Sequence, residues 1–132
     1  MNKPTTTPIT ISGIVTEGAG RGRELGYPTA NIFIDRPDLT DGIYLTQVKL
    51  EGQNHFGVTF IGTPTMFGDT KRRVESYILD FHDTIYGKTL AVTLLEKLRE
   101  SQDFTSAQAL KAQIANDISQ ARACLSLMYG IL

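Results

Sequence analysis

The chain has one cysteine, Cys124, and two histidines, His55 and His82. A common structural zinc site takes four Cys or His ligands, so that class is excluded. A single thiol makes no internal disulfide, which favours a cytoplasmic protein. A Ser-His-Asp or Cys-His centre needs a histidine near its nucleophile. Both histidines sit beside turns and read as surface residues, and Cys124 falls in a helical pattern and reads as core. Long hydrophobic runs are also missing, and nothing approaches the ~18 residues of a membrane helix. The first eight residues are polar and rich in Thr and Pro, with none of the apolar centre that directs secretion. Charge of one sign is lacking too. Thirteen Lys and Arg against fourteen Asp and Glu leave a net charge of −1. A protein that coats nucleic acid would be clearly basic.

What is present suits one folded unit. The chain has 132 residues, of which 41% are hydrophobic. That length fits a single domain of ~100–150 residues, placed at residues 9–132 behind a polar segment at 1–8. The first two-thirds reads as strands at 9–16, 30–34, 43–50, 55–61, 74–81 and 89–98. Glu51-Gly52-Gln53-Asn54 is a predicted hairpin turn, and Phe56, Val58 and Phe60 alternate on one face. Six strands without crossover helices pair antiparallel and suit a small barrel or sandwich. The period then changes. Ala107, Leu110, Ile114, Ile118, Ala121, Leu125 and Met128 recur every three or four residues, which predicts a helix packed across the strands. Thr105 with Gln108 fits a capping box at its start, and Gly130 fits a stop.

Three features bear on chemistry. The segment Gly18-Ala19-Gly20-Arg21-Gly22-Arg23-Glu24-Leu25-Gly26 holds four glycines and two arginines. Glycines let backbone amides close on an anion, and arginine adds charge-assisted hydrogen bonds to phosphate. The segment matches neither GxxxxGK[ST] nor GxGxxG, so a plain turn remains an equal reading. In Pro28-Thr29-Ala30-Asn31, an extended backbone sends Thr29 and Asn31 to one side. Two neutral oxygens suit Mg²⁺ carried by a nucleotide, or else they bond the local backbone. Glu75 has the parity of Tyr77, Leu79 and Phe81. An acid on an apolar face is costly unless used, and partial burial would tune it as a general base. The alternative is a strand-end Glu paired with Lys71, Arg72 or Arg73.

Taken together, these blocks resemble the riboflavin kinase (flavokinase) family over residues 13–122. The matches run in order: the Gly/Arg loop, Leu25-Gly26-Tyr27-Pro28-Thr29-Ala30-Asn31, Asp41-Gly42-Ile43-Tyr44, Ile61-Gly62-Thr63-Pro64-Thr65, Val74-Glu75, Asp80-Phe81, Tyr86-Gly87, Leu98-Arg99 with Phe104, and the late helix with Asp117. The resemblance implies a mainly β fold, a six-stranded antiparallel Greek-key-like barrel with a C-terminal helix across it. It implies transfer of the ATP γ-phosphate to the terminal ribityl hydroxyl of riboflavin, giving FMN and ADP. Gly18, Gly20 and Gly22 would then hold the ATP phosphates, with Arg21 and Arg23 neutralising charge. Thr29 and Asn31 would hold Mg²⁺ and a phosphate, and Glu75 would be the catalytic base. Ile78, Asp80 and Tyr86 would line the nucleotide side, and Arg99, Gln102 and Phe104 the flavin side.

The resemblance is looser in Gly62-Thr63-Pro64-Thr65-Met66-Phe67-Gly68, where Pro64 and Met66 depart from the usual spacing. In bacteria this module is often half of a bifunctional protein whose other half, an adenylyltransferase, carries an HxGH-type motif. The chain has no such motif, so it is expected to be a single-activity kinase or an excised kinase domain without FAD synthesis. The other readings are a silent flavin- or nucleotide-binding module, and a nucleic-acid-binding barrel using Arg21, Arg23 and Lys71-Arg72-Arg73. The kinase reading takes neither nucleic acid nor a membrane as partner.

Overall fold

Strand alternation and turn chemistry set the order of the elements. Six strands, β1 (Thr10–Ile14), β2 (Ala30–Phe33), β3 (Gly42–Leu50), β4 (Gln53–Gly62), β5 (Arg73–Ile78) and β6 (Thr89–Arg99), precede one helix, α1 (Ala107–Tyr129). The computed structural model describes residues 8–17, 23, 25–34, 36–63 and 70–131. All pairings are antiparallel, in the order β1-β6-β3-β4-β5-β2. The two edge strands meet just beyond β1, where the Thr16 N–H donates to the Asn31 carbonyl at 2.8 Å. The sheet is therefore a nearly closed barrel. Closure protects edges that would otherwise pair with other chains. Gly13 permits this approach, because a Cβ there would collide with the Ile32 side chain.

Two local details differ from the sequence expectation. The β3–β4 turn is tighter than four residues. Only Glu51 and Gly52 lie between the strands, both at positive φ, 49° and 80°. That is the backbone a two-residue hairpin needs to match strand twist. The fifth strand also stops at Ile78 rather than 81. Asp80 takes φ 57°, a left-handed conformation that Asp tolerates better than most residues. The chain thereby leaves the sheet, and residues 81–86 fold over one end of the barrel.

Alternation divides the apolar residues between two cores. Tyr44, Val48, Ile61, Val74, Leu90 and Val92 point into the barrel with Ile11, Ile32 and Ile78. Ile43, Leu45, Val58 and Leu79 point outward, beneath Ala121 and Leu125 of α1. Phe56, Phe60, Tyr77, Ile118 and Cys124 pack around this second core. Burying each such side chain contributes on the order of 1.5–3 kcal/mol. The barrel interior also holds a run of side-chain hydroxyls from Thr46, Thr59 and Ser76. Thr59 hydrogen-bonds Thr46 on one side and Ser76 on the other, both at 2.8 Å, so the buried oxygens satisfy one another across three strands.

The helix cap is Ser106 rather than the expected Thr105. Its hydroxyl accepts from the Ala109 N–H at 3.1 Å. Gly130 ends the helix at φ 64°, and the Ile131 N–H returns to the Leu125 carbonyl at 2.9 Å. The expected stripe is buried only in part. Ala121 and Leu125 are covered, but Ala107 and Met128 are exposed, and Asp117 takes a buried position between them. Among the described residues no helix is long and apolar enough to cross a membrane.

Candidate active site

The sheet register places the separated sequence signals on one line. Asn31 on β2 is the direct partner of Glu75 on β5. Glu75 in turn pairs with Phe60 on β4, Phe60 with Ile43 on β3, and Ile43 with Arg99 on β6. Direct partners in an antiparallel pair project to the same face. For this row it is the outer face, because Phe60 and Ile43 belong to the core under α1, and Arg99, which meets Ile43 beside a β-bulge, bonds Asp117 of α1. Five strands at ~4.8 Å spacing make the row about 19 Å long. Glu75 lies beside Asn31 at one end, and Arg99 lies at the other.

Asn31 is 3% exposed, and its side-chain Oδ1 has no hydrogen-bond partner among the described residues. A buried carbonyl oxygen left without a partner costs free energy. Glu75 is about a quarter exposed, at 26%, and its Oε1 lies 4.0 Å from the Arg73 guanidinium. Of the three cations that the sequence offered to Glu75, Arg73 is therefore the one beside it. Arg72 turns the other way. It donates to Asp41 and to the backbone carbonyls of Arg36 and Leu39, pinning that loop. Tyr77, two residues on, meets the Tyr27 ring edge-to-face at 5.6 Å.

A cleft of about 320 Å³ opens at the barrel end next to this corner. Thr29, Ala30, Ser76 and Ile78 form one wall, and residues 81–86 form the other. Arg23 and Tyr86 close it from the side, with the Arg23 guanidinium donating to the Tyr86 hydroxyl. Arg23, Thr29, Ile78 and Tyr86, expected at a nucleotide site, thus share one cleft. Asp80 does not line it. Its carboxylate is exposed and takes two hydrogen bonds from Arg122 of α1, at 3.0 and 3.3 Å. That guanidinium holds the Asp80 carboxyl below the usual carboxylate range. Gly18, Gly20, Arg21 and Gly22 lie outside the described residues, as do Pro64 to Asp69.

The far end of the row is built differently. Arg99 makes a two-pronged contact with Asp117, both bonds at 2.8 Å. Asp117 is buried and takes a third bond from Gln113 at 2.9 Å. The Arg99 guanidinium also lies 5.9 Å from the centre of the Phe104 ring. Gln102 is exposed on the connecting segment. A planar cation held beside an aromatic ring presents a surface suited to a flat, conjugated ligand.

Comparison with known proteins assigns the family. The sequence pattern of flavokinases, described as riboflavin kinase, matches residues 5–125. The chain belongs to the riboflavin kinase family. It is 42% identical over 118 residues to a bifunctional riboflavin kinase/FMN adenylyltransferase of Pseudomonas fluorescens, covering 88% of this chain and 38% of that protein. It is 38% identical over 110 residues to an RNA-binding riboflavin kinase of Bacillus subtilis, covering 83% of this chain and 48% of that one. The chain therefore spans less than half the length of these relatives. The crystal structure of riboflavin kinase from Trypanosoma brucei has the same fold, with a TM-score of 0.66 at 24% identity. That match covers 96% of this chain and 82% of the other.

Within this flavokinase fold, two features were not assigned from the sequence. Gln113 carries no motif, and its bond to Asp117 depends on an i, i+4 helical spacing. His82, Asp83 and Thr84 line the cleft, although His82 read only as a surface residue. The signal for both was positional. Asp117 interrupts an apolar stripe, and the 82–88 turn follows a strand that carries site residues.

Proposed function

We propose that this chain is a riboflavin kinase, transferring the γ-phosphate of ATP to the terminal ribityl hydroxyl of riboflavin to give FMN. The observation that carries the reading is the pairing of Asn31 with Glu75 on one face, on the same cross-strand row as Arg99. Family membership supplies the reaction class. The nucleotide goes to the cleft of Arg23, Thr29, Ile78 and Tyr86, with Gly18, Gly20, Arg21 and Gly22 around the phosphates. The flavin goes to Arg99, Gln102 and Phe104. We assign the kinase step alone to residues 9–132, as one cytoplasmic domain.

Phosphoryl transfer depends mainly on alignment and on neutralising charge at the phosphate oxygens. Mg²⁺ fits this corner. The Asn31 Oδ1, without a partner among the described residues, is a buried neutral oxygen, and hard cations prefer oxygen ligands. Thr29 and Asn31 would hold the ion together with phosphate oxygens. When bound, Mg²⁺ supplies charge neutralisation at the transferred phosphoryl group. Glu75 receives the proton of the attacking hydroxyl and, before that, orients it. Arg99 and Phe104 cover the flavin ring and exclude water from that side.

The test is direct. Purified protein is mixed with riboflavin, ATP and Mg²⁺, and the flavins are separated by chromatography. FMN that appears only with both ATP and metal supports the reading. A folded protein that makes no FMN with Mg²⁺ or with a second divalent metal refutes it.

A further inference from the structure

Arg73 stands out as a nearly buried cation beside the proposed base. Its side chain is 7% exposed. Burying a guanidinium is expensive unless the surroundings use it. Its position follows from the register: Arg73 pairs with Phe33 on β2 and with Gly62 on β4. Gly62 carries no side chain, and a Cβ there would press on the Phe60 ring at 3.0 Å. Phe33 supplies a ring, with the Arg73 guanidinium carbon 5.4 Å from its centre. Stacking on a ring fixes the plane of a guanidinium, which a lysine ammonium does not share.

Glu75 lies two residues along the same strand face, and its Oε1 is 4.0 Å from Arg73. The cross-strand partners around the two, Asn31, Phe33, Phe60 and Gly62, carry no charge. A glutamate has three rotatable bonds and resists being held in one rotamer. A poorly solvated guanidinium at this distance attracts the carboxylate more strongly than an exposed one would. We propose that Arg73, braced on Phe33, is a positioning residue that holds the Glu75 carboxylate in its working rotamer. The inference rests on the reading of Glu75 as the base. Arg73 acts through Glu75 and is not itself the base.

A double-mutant cycle in the intact chain tests this, with kcat, KM for ATP and riboflavin, and Tm measured for each variant. Arg73→Gln is expected to lower kcat about tenfold while both KM values stay within about twofold. Arg73→Lys is expected to recover part of the loss, since it keeps the charge but not the stacked plane. Adding Arg73→Gln to Glu75→Gln is expected to change kcat by less than about twofold, because the carboxylate it positions is gone. Phe33→Leu provides a check independent of folding, because Phe33 is 46% exposed and contributes little to the core. It is expected to lower kcat about threefold with Tm unchanged. If Arg73→Gln does not fold, Phe33→Leu decides, and wild-type kcat in it overturns the proposal. A full tenfold loss on top of Glu75→Gln also overturns it, as does unchanged kcat in Arg73→Gln. A Glu75→Gln variant with wild-type turnover refutes the base assignment itself. A Glu75→Gln variant that is inactive beside an unchanged Arg73→Gln refutes only the role of Arg73.

Discussion

The two ends of the cross-strand row treat polar atoms in opposite ways. At the Arg99 end, Asp117 accepts three hydrogen bonds, two from Arg99 and one from Gln113. At the Asn31 end, a buried amide oxygen has no partner among the described residues. The first arrangement is complete without a ligand and fixes α1 to the end of β6. The second lacks a partner among the described residues, and a bound cation would supply one to this oxygen. A buried polar atom is either part of the fold's own bonding or a place kept for something that binds. Burial alone does not separate the two cases, because Asn31 and Asp117 are equally exposed at 3%. The count of hydrogen bonds does.

Substitutions at the two ends should therefore separate stability from activity. The largest effect on stability is expected from Asp117→Ala, which leaves Arg99 poorly solvated beside a lost partner. Breaking such a pair costs about 3–5 kcal/mol. Tm should drop by on the order of 10 °C, and a thermal melt checks it. Asn31→Ala should do the reverse. Removing an unsatisfied buried oxygen is close to neutral for stability. FMN formation should fall on the order of 100-fold, or about 2.7 kcal/mol of barrier, and raising Mg²⁺ should recover part of it. Equal Tm losses in the two variants would erase the distinction between the ends.

Smaller effects sharpen the same comparison. Ser106→Ala removes the cap on α1, the helix that carries Asp117. Urea unfolding should show a loss of about 1 kcal/mol, with little change in the KM for ATP. The Asp80–Arg122 pair is the exposed counterpart of Arg99–Asp117. Asp80 has a lowered pKa in the folded state, so its pairing contributes above the unfolded value of about 3.9 and is lost as pH falls through the folded value. The Tm difference between wild type and Asp80→Asn should be small at pH 6 and vanish as the pH drops below that of the carboxylate. Added salt should shrink it as well.

The fold was legible because its main signals are periodic. Six β-rich segments and one helical stripe predicted the elements, and Phe56, Val58 and Phe60, read as sharing one face, lie in the layer under α1. The ends of elements were less legible. Thr105 and Ser106 are both good caps, and only backbone geometry selects Ser106. Strand β5 ends early because Asp80 adopts a left-handed turn, which hydrophobic alternation does not encode. For the site, residue type and parity singled out Glu75 and Asn31, but their pairing is a property of register between segments 44 residues apart. Arg73 was one of three cations offered to Glu75, and the sequence held nothing to choose among them. Arg72 being spent on the Asp41 loop is a tertiary fact.

Glu75→Gln tests the central claim most directly, since it keeps the shape and removes the base. The measurement pairs FMN formation with flavin and nucleotide binding, followed by fluorescence in the same preparation. The account predicts binding within about threefold of wild type and turnover lower by roughly 10²–10⁴-fold. Turnover within about threefold of wild type, under 1 kcal/mol of barrier, would contradict it.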